Sequence, residues 1–287
     1  MNTPKILMMF LGTGGEIDER LRGSLLVAQH LKAHLRIVHT QLDSNSLLPD
    51  DLAIPVVARS ELTDVMDRIT DSESENLNEK FQLLCKEMKV PFVPGLQQVK
   101  KGKASASWID MKGLRSNLVG SYGKLADWIV MPRPPEGRVT ASFEAAVLET
   151  GRPVLVIPRQ LKQFKLDNIQ LGWNYRAEAA KALSAAIPQM QVAKQVKVVT
   201  SIKNKGYLPK IEEVAEYLAL HGIEATTQVI TTKVDEPGKA LLKQAKKDAA
   251  DLIVIGAYSK RRIRDLLFGD VTRYLLKESD IPVLMVH

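Results

Sequence analysis

The feature that most constrains this chain is a duplication, because its second half repeats the pattern of its first. Residues 126–131 are Ala-Asp followed by four apolar residues, and residues 250–255 repeat that arrangement. A helical pattern follows in each half, and then an apolar strand that begins after Pro153 or Pro282. A repeat of this length predicts two copies of one small domain, so a binding site in one copy has a counterpart in the other.

The length of the chain fits two domains. Its 287 residues match the usual domain size of roughly 100–200 residues, and we place the domains at residues 1–160 and 161–287. The composition, 45% hydrophobic and 25% charged, is that of an ordinary globular protein. No run of about 18 apolar residues occurs, so no membrane span is predicted. The single cysteine, Cys85, and a first segment unlike a secretory signal predict a cytoplasmic protein.

The net charge of +7 lies in the second half. Residues 159–287 contain 21 basic and 14 acidic side chains, whereas residues 1–158 contain 19 of each. A basic half is compatible with binding to nucleic acid or phosphate. No RNP, helix-turn-helix or zinc-finger pattern accompanies the charge, so scattered, solvated lysines are the favoured explanation and nucleic acid is not favoured as a partner.

Both halves alternate short apolar runs with longer helical patterns, which is typical of βαβ units on a parallel sheet. In the first half we predict strands at residues 5–11, 35–40, 91–98, 128–131 and 154–157, and helices at residues 16–33, 72–88, 107–124 and 140–149. In the second half we predict strands at residues 168–173, 195–201, 225–231, 252–255 and 283–286, and helices at residues 176–186, 209–221, 237–249 and 263–277. Residues 41–70 form a longer, partly helical connection, and residues 159–165 form the linker.

This pattern predicts an α/β fold of two tandem flavodoxin-like or Rossmann-like domains. Each domain is expected to be a five-stranded parallel sheet with right-handed crossovers and helices on both faces. Ligands of such sheets bind beyond the carboxyl ends of the strands, where the strand order reverses. We therefore look for a site after the first and fourth strands of each half.

The fourth strand of the second half is followed by Gly256, Ser259 and, after a basic stretch, Gly269. A glycine at a strand end lets the chain turn sharply and brings N–H groups close to an anion, and a helix N terminus attracts phosphate. Four basic residues lie between Ser259 and Gly269 and add positive potential, namely Lys260, Arg261, Arg262 and Arg264. A plain strand-to-helix turn with solvated charges explains the same residues, and that alternative stays open.

With this spacing the whole chain resembles a tandem universal stress protein, with two UspA-type domains in one polypeptide. Nucleotide-binding members of that family carry Gly-x2-Gly-x9-Gly-[Ser/Thr] after the fourth strand, and Gly256, Ser259 and Gly269 keep the spacing. Ser259 replaces the middle glycine, and Asp270 replaces the Ser/Thr. The resemblance implies that ATP, together with Mg²⁺, is held at this turn by a stress-response protein that regulates or binds rather than catalyses.

The departures from the family pattern have physical consequences. Asp270 would repel a phosphate, at a cost on the order of 1–4 kcal/mol for like charges about 4 Å apart. Basic neighbours or Mg²⁺ would offset it, and Thr272 is a candidate replacement for the lost hydroxyl. Across the crevice, Asn174 stands where the family commonly carries an aspartate that contacts the nucleotide; it keeps hydrogen-bonding ability without the charge. A helix N-cap is an equal alternative for Asn174.

The first half lacks the motif. Pro132, Pro134 and Pro135 follow its fourth strand and remove N–H donors. Gly12 and Gly14 after its first strand match a dinucleotide fingerprint only weakly. We expect this domain to be a degenerate structural partner. Because the family commonly dimerises through its final strand, the fused domains would form that interface within one chain as a pseudo-dimer, with further homo-oligomers possible.

Three functions follow from these observations and stay open. The first is a nucleotide-responsive regulator that uses Asn174, Gly256, Ser259 and Gly269. The second is a nucleotide-independent scaffold that binds an unknown protein or a small ligand between its domains. The third is a weak ATPase, ranked last because no positioned general base or nucleophile is recognisable near the glycine turn. No metal site is predicted, since the His30 and His34 pair has no recognisable third ligand.

Overall fold

The protein is an α/β structure in which one large sheet lies between two layers of helices. The computed structural model describes residues 3–12, 17–41, 43, 55–202, 210–231, 236–257 and 269–287. Within these ranges the strands are β1 (Ile6–Leu11), β2 (His34–Gln41), β3 (Ser105–Lys112), β4 (Trp128–Pro132), β5 (Val154–Ile157), β6 (Asn168–Trp173), β7 (Gln195–Ile202), β8 (Ala225–Thr231), β9 (Leu252–Gly256) and β10 (Val283–Val286). The helices are α1 (Ile17–Leu31), α2 (Val56–Glu87), α3 (Arg115–Tyr122), α4 (Ala141–Glu149), α5 (Ala177–Met190), α6 (Ile211–Ala219), α7 (Pro237–Lys247) and α8 (Asp270–Glu278).

The strand order repeats between the two halves. The sheet runs β3-β2-β1-β4-β5-β10-β9-β6-β7-β8, so outward from the middle each half has its fifth, fourth, first, second and third strand. Neighbouring strands are parallel within each half, and β5 and β10 pair antiparallel, with Leu155 opposite Leu284. The final strands of the two halves therefore join them into one ten-stranded sheet. The division at residues 160 and 161 remains a prediction.

The duplicated Ala-Asp pair forms the same backbone lock in both halves. The carboxylate of Asp127 accepts hydrogen bonds from the backbone N–H groups of Lys5 at 2.7 Å and Ile6 at 3.0 Å. The carboxylate of Asp251 accepts one from the N–H of Asn168 at 2.9 Å. In both cases the backbone N–H of the aspartate donates back to the first strand at 2.8 Å. Each aspartate thus ties the start of the fourth strand to the start of the first.

Helices cover both faces of the sheet, as the apolar strands predicted. One core packs α1, α2, α5 and α6 on one face, with Leu25 and Leu183 among its buried side chains. The other core packs α3, α4, α7 and α8 on the opposite face, with Phe143 and Leu276 buried. Strands β5 and β10 are buried along their whole length. Burial on both sides explains why these strands are apolar without alternation.

The region before β3 differs from the prediction. The predicted strand at residues 91–98 is wrong, since Phe92 makes only an isolated bridge to Ala106 and the segment then forms a short 3-10 turn. Pro91 and Pro94 explain this result, because proline has no N–H group to continue a ladder.

The third strand lies where a helix was predicted. The helix expected at residues 107–124 is wrong over its first part, which is β3, and only α3 is helical. Gly113 separates the two elements with a φ of +139°, a conformation that favours glycine.

Several helices differ from the predictions at their ends. Helix α2 begins at Val56, so the connection predicted at 41–70 is helical from there. Helix α5 runs through Pro188 to Met190. The predicted start at Pro209 lies outside the described residues, as does the first part, residues 263–268, of the last predicted helix. Among the described residues, no helix combines the length and apolarity that crossing a bilayer requires.

Candidate functional site

The strand order reverses between β6 and β9. These strands are parallel neighbours, with Gly172 opposite Ile255. From β6 the sheet continues to β7, and from β9 it continues the other way to β10. Asn174 directly follows β6 and Gly256 ends β9, so these two predicted residues lie at the same carboxyl edge. Such a switch point is where open α/β sheets bind ligands.

Asn174 shapes the turn that leads into α5. It is exposed, and its Oδ1 accepts a hydrogen bond from the backbone N–H of Arg176 at 3.2 Å. The N-cap of α5 is Arg176, so the alternative of Asn174 as N-cap is wrong, and the asparagine forms an Asx-type turn instead. Tyr175, between them, has a φ of +61°. Within the described chain, the Nδ2 group of Asn174 makes no hydrogen bond.

Gly256 is required by the packing of α5. A Cβ atom at this position would lie 2.5 Å from the backbone nitrogen of Ala179 and 2.5 Å from the carbonyl carbon of Glu178. Both atoms belong to the first turn of α5, which passes directly over the end of β9. The glycine is therefore explained by strand–helix contact, independently of any bound anion.

Helix α8 begins at the same edge of the sheet, because it leads from the carboxyl end of β9 to the amino end of β10. Gly269 is its N-cap and makes no side-chain cap, so within the described part of the chain no side-chain cap bonds the first-turn N–H groups, the kind of groups that attract anions. Asp270 is exposed in that turn, where the helix dipole favours its carboxylate. Thr272, the candidate replacement for the lost hydroxyl, is buried, with only 4% of its surface exposed.

Two aromatic residues that the sequence analysis did not include in the site lie at the end of β6. The rings of Trp173 and Tyr175 meet edge to face with centroids 6.0 Å apart. The indole Nε1 of Trp173 is buried with no partner among the described residues. Burial and the nearby Glu212 carboxylate raise the pKa of the Tyr175 hydroxyl. In the sequence, the one sign that they belong to the site is that these large side chains flank Asn174.

The remaining predicted components lie outside the described residues. These are Ser259 and the basic stretch of Lys260, Arg261, Arg262 and Arg264. Among the residues that the structure does describe, no group of His, Cys, Asp and Glu side chains is arranged to hold a metal.

Comparison with known proteins adds a family. The family model described as the universal stress protein family matches residues 176–287. The universal stress protein Slr1230 of Synechocystis is 25% identical over 159 residues, which are 52% of this chain and 52% of that protein. The stress response protein NhaX of Bacillus subtilis is 34% identical over 89 residues, 31% of this chain and 54% of that protein. The second half of the chain, residues 176–287, belongs to the universal stress protein family. The chain spans about half the length of these two curated relatives.

Solved structures extend the likeness to the whole fold. A universal stress protein from Archaeoglobus fulgidus superposes with a TM-score of 0.65 at 13% identity, over 97% of this chain and 95% of that one. A protein of unknown function from Pseudomonas aeruginosa gives a TM-score of 0.56 at 15% identity, over 99% and 92% of the two chains. At such identities the likeness concerns the fold alone. This chain therefore shares its overall fold with other solved chains.

In the first half of the chain, the side chain of Arg115 lies at the equivalent strand end. The guanidinium of Arg115 lies where a Cβ atom on Gly12 would be. Its Nε donates to Thr40 Oγ1 at 3.2 Å, and that hydroxyl donates to the carbonyl of Leu11 at 3.0 Å. Burial lowers the pKa of Arg115. A cation thus occupies the carboxyl end of β1 in the first half.

The proline segment after β4 contacts the other half of the chain. A Cβ atom on Gly137, which has a φ of +69°, would lie 2.8 Å from the Cα of Lys277 in α8. Arg133 Nη1 donates to the carbonyl of Ser279 at 2.9 Å, just beyond α8. The segment that corresponds to the glycine turn therefore makes interface contacts in the first half, which fits a structural partner.

A Ser–His–Asp group, with a buried serine and histidine and an exposed aspartate, joins α2 to β2 and β3. His39 Nδ1 lies 2.9 Å from Asp110 Oδ1 and 3.0 Å from Ser74 Oγ, and the serine also donates to the aspartate. The imidazole is fully buried, and its Nε2 has no partner in the described chain. In a catalytic triad the serine and the aspartate form hydrogen bonds with different nitrogens of the histidine ring. Here the serine and the aspartate both contact Nδ1, so the group has the composition of a triad without its geometry.

Proposed function

We propose that this universal stress protein is a stress-response regulator whose second half binds an adenine nucleotide, ATP with Mg²⁺, between Asn174 and Gly256. The observation that carries the proposal is the switch point itself. The amide of Asn174, whose Nδ2 has no hydrogen-bond partner among the described residues, lies at the edge where β6 and β9 diverge. The N terminus of α8 lies at the same edge and has no side-chain cap within the described part of the chain. Amide donors and helix N termini both suit phosphate and ribose oxygens. The spacing of Gly256, Ser259 and Gly269, which resembles the family motif, supports the nucleotide class.

Asp270 is the element that this proposal must accommodate. Its carboxylate lies in the first turn of α8 and would repel an unshielded phosphate. A Mg²⁺ ion bridges carboxylates and nucleotide phosphates in many proteins. We therefore propose that the nucleotide binds as its magnesium complex and that Asp270 makes binding depend on the metal.

Titration calorimetry with Mg-ATP tests the proposal directly. We expect the wild type to bind and Asn174→Ala to weaken binding about 3- to 10-fold, since one hydrogen bond contributes roughly 0.5–1.5 kcal/mol. Gln191→Ala on the far end of α5 is the matched control, because it removes an amide away from the crevice. Absence of binding heat in the folded wild type would reject the nucleotide proposal.

A second titration, in chelator without Mg²⁺, isolates the effect of Asp270. We expect Asp270→Ser to tighten ATP binding about 10-fold or more, because it removes a like-charge contact on the order of 1–4 kcal/mol. Glu278→Gln removes the same charge from the opposite end of α8 and should leave the affinity unchanged. Equal affinities for all three proteins would show that the phosphates do not lie at α8.

We propose that the protein acts by binding, in the cytoplasm. Two measurements distinguish this role from the weak ATPase and from the scaffold. The buried Cys85 fits a reducing compartment, and burial raises the pKa of its thiol to about 12, which keeps it unreactive. Phosphate release from Mg-ATP above the level of Asn174→Ala would instead support the weak ATPase. A co-purified protein or small ligand in native mass spectrometry, without nucleotide binding, would support the scaffold.

A further inference from the structure

The two edges of the ten-stranded sheet differ in how they are protected. β3 forms one edge and β8 the other. On β3, Asp110 and Lys112 place charges along the strand. Its first part is also covered, because Val93 N–H donates to the Ala106 carbonyl at 2.8 Å and Ala106 N–H donates to the Pro91 carbonyl at 2.9 Å. Charges and covering segments are devices by which proteins avoid edge-to-edge pairing.

β8 carries none of these devices. Its seven residues, Ala225–Thr231, include no charged residue and no proline. They pair with β7 in an unbroken parallel register from Val196 opposite Ala225 to Ile202 opposite Thr231, without a bulge. Among the described residues, no backbone hydrogen bond reaches β8 from any element other than β7. Five of the seven residues are β-branched, and Val229 is 45% exposed. An uncharged, regular and open edge of this kind favours pairing with another strand.

We propose that β8 pairs antiparallel with β8 of a second copy of this chain, joining two sheets across a twofold axis. Centred on Gln228, such pairing sets Thr227 opposite Val229 and Thr226 opposite Ile230. These cross-strand pairs are uncharged and β-branched on both sides, which suits an antiparallel ladder. The strand is thus complementary to itself.

Self-pairing of β8 would limit the assembly to two copies. A twofold contact through one patch closes at two copies, whereas a contact between unlike edges would extend into a filament. The protected β3 edge disfavours the second arrangement. A strand from a different protein would also fit an open edge, but β8 has no charge with which to select one.

Helix α6 contributes to the same surface. It packs over β8 and exposes Tyr217, and Leu220 directly after the helix is 88% exposed. The twofold axis runs perpendicular to the sheet, so the α6 helices of the two copies lie on one face, on either side of the axis. Glu213 and Glu216 on α6 are also exposed and repel their counterparts. The dimer is therefore expected to strengthen as salt screens this repulsion.

Sedimentation equilibrium over a range of protein and salt concentrations tests the pairing. The wild type is expected to approach twice the chain mass of 31.9 kDa. Gln228→Lys places two lysines near the axis, and such like-charge juxtaposition is expected to raise the dimer dissociation constant at least about 10-fold. Ile109→Lys makes the same kind of change at an exposed position of the β3 edge and should leave the dimer intact. Thermal unfolding of both variants checks that each is folded.

Hydrogen exchange supplies the second measurement. Amides of residues 225–231 should gain protection as the wild-type concentration rises, and this gain should disappear in Gln228→Lys. A wild type that stays monomeric at all concentrations overturns the proposal, even if another protein is captured on the edge. A dimer insensitive to Gln228→Lys, or equally weakened by Ile109→Lys, overturns it as well. None of these outcomes depends on nucleotide binding, since every measurement is made without ATP.

Discussion

Gly256→Ala is expected to lower the free energy of unfolding by about 3 kcal/mol, the upper range for a forced overpacking. The added Cβ would lie 2.5 Å from backbone atoms of Glu178 and Ala179, closer than real Cβ contacts occur. These atoms belong to the first turn of α5, and a helix backbone cannot rotate aside as a flexible side chain can. Helix and strand must therefore separate, at the point where β6 and β9 diverge. Urea unfolding of the variant and the wild type gives the difference directly.

The second glycine of the same motif supplies the matched control. Gly269 has a φ of −65° and a ψ of 156°, and no atom lies within 4 Å of a Cβ built there. Serine is also a better N-cap than glycine, so Gly269→Ser should stay within about 0.5 kcal/mol of the wild type or exceed it. Equal losses at both positions, or no loss at Gly256, would contradict this account of the two glycines.

This contrast decides how ligand binding is to be tested. A substitution at Gly256 would disturb α5 and with it the turn that holds Asn174. A loss of nucleotide binding in that variant would therefore report the fold rather than the site. Substitutions at Asn174 and Asp270, both exposed, avoid this ambiguity.

The parts of the fold that follow from local physics could be predicted from the sequence. The strands 154–157 and 283–286 are predicted to the residue, because burial on both faces leaves a continuous apolar run between polar segments. The duplicated Ala-Asp pair also carries its own explanation, since Asp127 and Asp251 each fasten the first strand of their half. Asn174 and Gly256 could be placed at one edge because each follows a parallel strand.

Elements that depend on distant contacts could not be predicted in this way. β3 is a strand because it pairs with β2 over eight positions, from Ser105 opposite His34 to Lys112 opposite Gln41. Its own residues, including Trp108 and Met111, also fit a helical spacing. The first part of α2 gave no periodic signal, because none of residues 58–73 is buried.

The contacts that distinguish the two crevices are equally remote in the sequence. Arg115 covers Gly12 from more than a hundred residues away, and the first turn of α5 covers Gly256. No spacing rule connects these residues, since the pairing of each depends on where a helix crosses the sheet. The expectation that the final strands, β5 and β10, pair with each other came from the family resemblance. The periodicity of the sequence alone does not predict this pairing.

Acidification from pH 6.5 towards pH 4 is expected to cost the folded protein about 3 kcal/mol through one buried imidazole. His34 is 1% exposed, with Nδ1 2.9 Å from Ser105 Oγ and Nε2 2.9 Å from Ser107 Oγ. Burial, and to a lesser extent the charge of Arg36, lowers its pKa from 6.5 to about 4. Among the described residues no carboxylate acts on the ring to offset the cost of a buried charge, and the two hydroxyls already satisfy the neutral form.

The sign follows from the depressed pKa of the folded state. The unfolded chain takes up the proton first as the pH falls, so the stabilisation is complete above pH 6.5 and declines until the folded His34 is protonated near pH 4. At about 1.4 kcal/mol for each pKa unit, the shift corresponds to about 3 kcal/mol. Urea unfolding at a series of pH values measures the slope.

His34→Gln keeps an amide that can bond both serines and has no proton to gain, so its stability should fall by about 3 kcal/mol less over this range. His30, whose pKa burial also lowers, adds to the slope in both proteins and cancels in the comparison. If His34→Gln kept the full slope, the serine-bound imidazole would not be the group that links protonation to unfolding.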